Sequence, residues 1–302
     1  GYKVWADGDI LCDHYDTKKK VYYPTEDVVR KHIERKLKKD GREDVIKDYN
    51  KASGIDDDKS TVVFVSSDVF QGDSIERGPL GGTETSVINV SRELAKKYNV
   101  HVFSNTNEPG VYDGVVYHSL KTLNKLEHIN IDSLVLVRNT NILEDVDFKN
   151  SFGAKRVLLW THDISESPAY EKLEKTKDRL DKIIVLTDWH KENFKEKFDL
   201  KDEDFVIAGH GIDYRLLEEL DVDKRDKTLI YSSTPFRGLD VLADVFPKIK
   251  ERVPDAKLKV FSSMSVYGDK FRNAEDQYLN LYTQLKETPG VEYYGCVDQK
   301  RL

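Results

Sequence analysis

Two cysteines, Cys12 and Cys296, are all that 302 residues contain, and neither sits in a CxxC or His/Cys spacing. That scarcity excludes a disulfide scaffold and gives no zinc signature, and it points to a reducing, cytoplasmic compartment. Also missing are a long apolar run able to cross a bilayer and an apolar signal region at the start. An excess of positive charge is absent too: 48 Lys and Arg stand against 55 Asp and Glu, a net charge of -7. A broad nucleic-acid surface is therefore not expected, although a local basic pocket for a small phosphorylated ligand remains compatible with the balance. The first residue is Gly1, with no initiator Met before Tyr2. A cut or tagged end, and membership of a longer polypeptide, are the expectation.

The composition that is present, 38% hydrophobic and 34% charged, is that of an ordinary globular protein large enough for two cores. Residues 1–60 read as an appendage or linker: a short hairpin around Lys18, Lys19 and Lys20, then a charged helix from Asp27 to Lys39. From Thr61 the chain alternates β and α segments, the pattern of a parallel sheet covered on both faces. Apolar strand runs fall at 61–65, 100–103, 115–117, 133–137, 156–160, 183–186 and 205–207. Helical spacing is clearest at 169–180 and 188–198, and the helix opening at Gly81-Gly82-Thr83-Glu84 carries a stripe of Val87, Ile88, Val90 and Leu94. This first Rossmann-like domain spans 61–213. The charged stretch 214–227 reads as a hinge, and 228–302 as a second, incomplete Rossmann-like domain with strands near 228–231, 258–261 and 291–294 and a helix at 274–286. Two such sheets facing each other would enclose a cleft beyond their strands' carboxyl ends.

The stretch Ser232-Ser233-Thr234-Pro235-Phe236-Arg237-Gly238-Leu239-Asp240 links a strand to a helix whose apolar stripe is Leu242, Val245, Phe246 and Ile249. Free amides and the positive dipole end at a helix start make an anion site, and a guanidinium beside Gly238 can clamp two phosphate oxygens. Arg237 is the leading phosphate ligand; its alternative is a surface ion pair with Asp240. His162 follows Trp160 at a strand end, where side chains enter the crevice, with Asp163 beside it to orient or charge the ring. Gly81-Gly82 reads equally as a plain turn before a helix capped by Thr83, with Glu84 favouring the dipole. The loop 66–80 is longer than ordinary βα loops and suits a cover over the cleft. His101 and His210 read as structural, and Asp188-Trp189-His190 as a capped, packed helix start. The basic and aromatic stretch 191–198 suits either peripheral membrane contact or a solvated helix face, and its interrupting glutamates favour the latter.

Taken in order, Gly81-Gly82-Thr83-Glu84, Trp160-Thr161-His162-Asp163, Gly209-His210-Gly211-Ile212-Asp213 and Ser233 to Asp240 resemble glycosyltransferase family 4 over residues 61–302. The resemblance implies the GT-B architecture and transfer of a sugar from a UDP- or GDP-linked donor to a glycan, lipid or protein-linked acceptor. It further implies retention of anomeric configuration and no bound metal or other cofactor. It places Gly81 and Gly82, Arg237, Gly238 and Leu239 at the donor, His162 near the transferred sugar, Glu84 and Asp163 on the acceptor side of the cleft, and 211–213 at the crossing between domains. Two departures stand out. Tyr231, Ser232 and Ser233 occupy the place where many members carry a second basic residue, and the family's two glutamates eight apart would follow residues 294–299, close to the final Leu302. Rival readings are a nucleotide-sugar epimerase of the same fold, for which the sequence offers no evident carboxylate pair, and a non-catalytic module that binds nucleotide or sugar.

Overall fold

The computed structural model describes residues 59–212, 226–267 and 272–297, together with two short strands near the start. The chain divides into two compact units, residues 1–60 and 61–302. In the first, β1 (His14–Asp16) and β2 (Val21–Tyr23) pair antiparallel, so the expected hairpin is present, while Lys18 to Lys20 and the expected helix at 27–39 lie outside the described residues.

The second unit holds two sheets. The larger is built from β3 (Thr61–Ser66), β4 (Asn99–Ser104), β5 (Gly110–Tyr112), β6 (Val115–Ser119), β7 (Ser133–Val137), β8 (Val157–Trp160), β9 (Lys182–Val185) and β10 (Phe205–Ile207). Their spatial order is β10-β9-β8-β7-β3-β4-β6-β5, parallel throughout except for the edge strand β5. The chain therefore starts in the middle at β3, builds outward through β4 and β6, then crosses back to lay β7 on the other side. That reversal puts a topological switch point between β3 and β7, where open α/β sheets hold ligands.

Period-two alternation explains why these strands read as continuous apolar runs. On β3, Val63 and Val65 enter one core with Leu134, Leu136 and Leu159, while Phe64 enters the other with Val102, Val135 and Val137. After the short helix α1 (Ser74–Arg77), helix α2 (Gly82–Ala95) covers the second core through Val87 and Ile88, and Phe194 and Phe198 of a later helix (Asp188–Phe198) cover the first. Val90, expected in the α2 stripe, is instead exposed, because the buried face runs through Val87, Ile88 and Ser91.

Two further sequence expectations are corrected. Residues 169–180 do not form one helix: a 3-10 turn at Pro168–Tyr170 is followed by a four-residue α turn at Leu173–Thr176 and another 3-10 turn at Lys177–Arg179. The buried residues Tyr170, Leu173 and Thr176 recur every three positions, the period of the tighter helix. Helix α2 begins at Gly82 with Gly81 in the cap position, so Thr83 lies in its first turn and is not the cap.

The smaller sheet is parallel, ordered β11 (Thr228–Ser232), β12 (Lys257–Phe261), β13 (Val291–Tyr293). Leu258 and Val260 pack against Leu239, Ala243 and Phe246 of a helix at Leu239–Arg252 and Tyr282 and Leu285 of a helix at Leu279–Glu287. Val245, expected in that stripe, is exposed beside the buried Phe246. Most of the expected hinge, 214–225, and Asp213 lie outside the described residues.

Candidate functional site

At the switch point the loops after β3, β7 and β8 bring four side chains together. Arg138, the first residue after β7, has a φ of 62°, and the amide of Asn139 reaches back to the Val137 carbonyl at 2.8 Å. A non-glycine residue at the centre of such a γ-turn is strained. What holds it is a second pair of bonds: its amide donates to the Trp160 carbonyl at 2.9 Å, and its Nε donates to Asp163 Oδ2 at 2.8 Å. Nη1 lies 3.9 Å from Asp68 on the loop after β3. Burial works against the guanidinium's charge, but Asp163 and Asp68 outweigh it and hold its pKa above the ordinary arginine value.

Asp163 thus pairs with Arg138 and not, as the sequence suggested, with the imidazole beside it. His162 is tilted against Trp160 with ring centroids 4.6 Å apart and stacked on His210 at 5.3 Å. Burial above all, then His210 and Arg138, push its pKa down to about 4, so the ring is neutral at physiological pH. Its Nε2 is buried without a hydrogen-bond partner among the described residues, as is the neighbouring Trp160 Nε1. His210, expected to be structural, is exposed and forms the outer half of this ring pair. His101 is buried, as expected, and pairs with His118 at 3.0 Å.

Gly81 and Gly82 start α2, and the Glu84 carboxylate folds back against Gly81, in the space that a Cβ there would fill. The anion place at this helix start is therefore occupied by the chain's own carboxylate. Burial, first of all, and the nearby Asp68 raise the Glu84 pKa, while Glu84's own amide and Arg138 act the other way. Beyond Asp68, the long loop after β3 is tied down: Phe70 is buried, Ser104 Oγ donates to its carbonyl at 2.6 Å, and Arg92 donates to the Gly72 carbonyl at 2.8 Å.

The second sheet carries a separate cluster at its carboxyl edge. Arg237 is exposed on the turn after β11, its guanidinium 5.6 Å from the centre of the Phe236 ring. No ion pair joins it to Asp240, the partner its surface alternative required. Gly238 caps the 14-residue helix with a φ of 91°, which glycine adopts without strain; the Leu239 amide donates to the Pro235 carbonyl at 3.2 Å, and no side chain among the described residues caps this end. Leu239 is fully buried and anchors the first turn. Two hydroxyls sit buried without a partner among the described residues: Thr234 Oγ1 at the end of β11 and Ser262 Oγ at the end of β12. Buried polar atoms are nearly always bonded, so such orphans mark places where a ligand or water completes the structure.

The sequence singled out Arg237, Gly238, His162 and Asp163 as candidates, and passed over Arg138, Asp68, His210 and Ser262, which the structure places at or just beyond strand ends. The missed residues stand at strand carboxyl ends, so the position rule that singled out His162 would have found most of them. Among the described residues, no group of three or more His, Cys, Asp or Glu side chains is placed to hold a metal ion, and no helix is long and apolar enough to cross a membrane.

No protein-family model matches the chain, and no curated protein matches it by sequence. Solved structures do resemble it. A trehalose-6-phosphate synthase, OtsA, superposes with a TM-score of 0.55 at 12% identity, over 80% of this chain and 75% of that one. A glycosyltransferase from Rickettsia africae gives 0.52 at 13% identity, over 79% and 68%. A UDP-GlcNAc 2-epimerase from Neisseria meningitidis bound to UDP-GlcNAc gives 0.50 at 12% identity, over 80% and 73%. The fold is GT-B-like, a mixed α/β arrangement of an eight-stranded, mainly parallel sheet and a three-stranded parallel sheet.

Proposed function

We propose that the chain is a retaining glycosyltransferase that moves a sugar from a UDP- or GDP-linked donor to a glycan, lipid or protein-linked acceptor. The observation that carries the reading is the cluster on the second sheet: Arg237, the helix amides following Leu239 that no side chain among the described residues caps, and the orphaned hydroxyls of Thr234 and Ser262 at two adjacent strand ends. Cleavage of the bond between the anomeric carbon and the diphosphate leaves negative charge on the departing oxygens. A fixed guanidinium and free amides aimed at that charge lower the barrier, one donor being worth on the order of 3 kcal/mol. In this reading the neutral His162 ring offers an N–H to a sugar hydroxyl, and Asp68, Glu84 and Asp163 around Arg138 line the acceptor side. Residues 61–213 and 228–302 then act as acceptor-side and donor-side domains around a cleft.

A melting-temperature panel with UDP, GDP and their sugars tests the donor assignment, since a ligand that binds the folded state raises the midpoint. At least one nucleotide should stabilise the protein, and Arg237→Gln should remove most of that gain. Equal shifts in both proteins overturn the assignment of Arg237.

One observation favours a second reading. Three carboxylates, Asp68, Glu84 and Asp163, converge near Arg138, an arrangement the sequence did not reveal and one that an epimerase acting on the same donors could use for proton transfer. Proton NMR of UDP-GlcNAc incubated with the protein separates the two: a new epimer without acceptor supports the epimerase, and free UDP produced in step with a glycosylated acceptor supports the transferase.

A further inference from the structure

The segment 160–163 is held at nearly every position. The Trp160 carbonyl accepts from the Arg138 amide at 2.9 Å. The Thr161 amide and hydroxyl both donate to the Ile184 carbonyl, at 3.0 and 2.9 Å. Asp163 accepts twice, from Arg138 Nε at its carboxylate and from His190 Nε2 at its carbonyl, 2.9 Å away. His190 is buried in the first turn of the helix at Asp188–Phe198, and its Nδ1 accepts from the Leu186 amide at 3.3 Å. That bond settles the tautomer: Nε2 must carry the proton and donate to Asp163. The Tyr170 hydroxyl, fully buried, stands close to the His162 and Asp163 amides without a hydrogen bond of its own among the described residues. Within this fixed frame His162 Nε2 is buried without a hydrogen-bond partner among the described residues.

We propose that Arg138 and His190 are positioning residues for His162, holding the 160–163 segment from opposite sides so that the imidazole keeps a single orientation toward the substrate. Neither acts on the reacting atoms. Arg138 grips the segment by amide and guanidinium together, which accounts for its strained turn: relaxing φ would release both bonds. His190 supplies the grip from the helix after β9, and the Thr187 hydroxyl, by accepting from the His190 amide at 3.1 Å, fixes that helix start in turn. The substrate-facing part of the inference rests on the proposed function; the positional part does not.

The test uses the whole chain and the variants His190→Leu, His190→Gln, Arg138→Gln and Arg138→Lys. Gln at 190 can still donate to the Asp163 carbonyl, and Lys at 138 keeps the charge while losing the Nε geometry. His162 ring resonances, assigned by comparison with His162→Ala, are followed by carbon-proton NMR from pH 3.5 to 8. In the wild type the ring gives one sharp resonance that titrates near pH 4. In His190→Leu, Arg138→Gln and Arg138→Lys it should broaden or split and titrate at higher pH, while His190→Gln should resemble the wild type. A wild-type His162 signal in folded His190→Leu and in either folded Arg138 variant overturns the proposal, whatever the substrate. With a turned-over nucleotide sugar, His190→Leu should lower kcat by about 10²-fold, the scale of a misplaced catalytic group, with donor KM unchanged. Unchanged turnover in His162→Ala overturns the substrate-facing role alone.

Discussion

Acidification should destabilise this protein through His118, and the size of the effect follows from its surroundings. The ring lies on β6, stacked on Phe103 with centroids 4.5 Å apart and bonded through Nε2 to His101 Nδ1. Burial, with a smaller push from Lys125, brings its pKa from 6.5 down to about 4. An unfolded chain takes up the proton near pH 6.5, while the folded one refuses it until about 4. Between those values the unfolded state binds more protons, so stability is complete above pH 6.5 and is lost as the pH falls toward 4. At pH 5, about 1.5 units below the unfolded value, the loss is about 2 kcal/mol at 1.36 kcal/mol per unit. That is a large share of a typical 5–15 kcal/mol. His118→Gln keeps a nitrogen in reach of His101 but does not titrate. Urea unfolding of both proteins at pH 7.5 and pH 5 isolates the term, because His162 and the carboxylates titrate equally in each. The wild type should lose about 2 kcal/mol more than the variant. Parallel losses would refute the reasoning that burial keeps this ring neutral.

Arg237→Gln should lower turnover of a nucleotide sugar by on the order of 10²-fold, corresponding to one preorganised donor, with no change in urea midpoint since the side chain is exposed. Gly72→Ala should destabilise by about 1–3 kcal/mol, because the added Cβ overlaps the Cβ of Tyr112; a wild-type midpoint in urea counts against that packing. Gly238→Ala, by contrast, meets no atom within 4 Å and should cost only the left-handed backbone term, about 1–2 kcal/mol in the same assay. Thr187→Ala removes the hydroxyl that caps the helix at Asp188–Phe198 and should cost about 1 kcal/mol by urea unfolding.

Much of the fold was legible because parallel strands covered on both faces leave uninterrupted apolar runs. The strand at 133–137 was placed residue for residue, and 205–207 and the helix at 188–198 likewise. Strand order was not legible, since nothing in the run Ser133-Leu134-Val135-Leu136-Val137 says that it crosses back beside β3. Nor was Arg138: a positive φ in a residue other than glycine is imposed by tertiary bonds to Trp160 and Asp163, not by local preference. The cap of α2 was misjudged because Thr83 carries a capping hydroxyl that Gly81 lacks, whereas the Glu84 carboxylate folds back over Gly81 instead. Asp188 was likewise credited with a capping role that Thr187 performs. At 169–180 a spacing of three was taken for the 3.6 of an α-helix.

The strained residue after β7 also limits how this surface can diversify. Arg138 and Asp163 lie 25 positions apart in sequence, yet replacing Arg138 alone leaves the Asp163 carboxylate without its cation, and replacing Asp163 alone leaves the partly buried guanidinium only the longer contact to Asp68. A library meant to retune what this edge of the sheet accepts would therefore need both codons randomised together, and surviving clones should carry them as matched pairs.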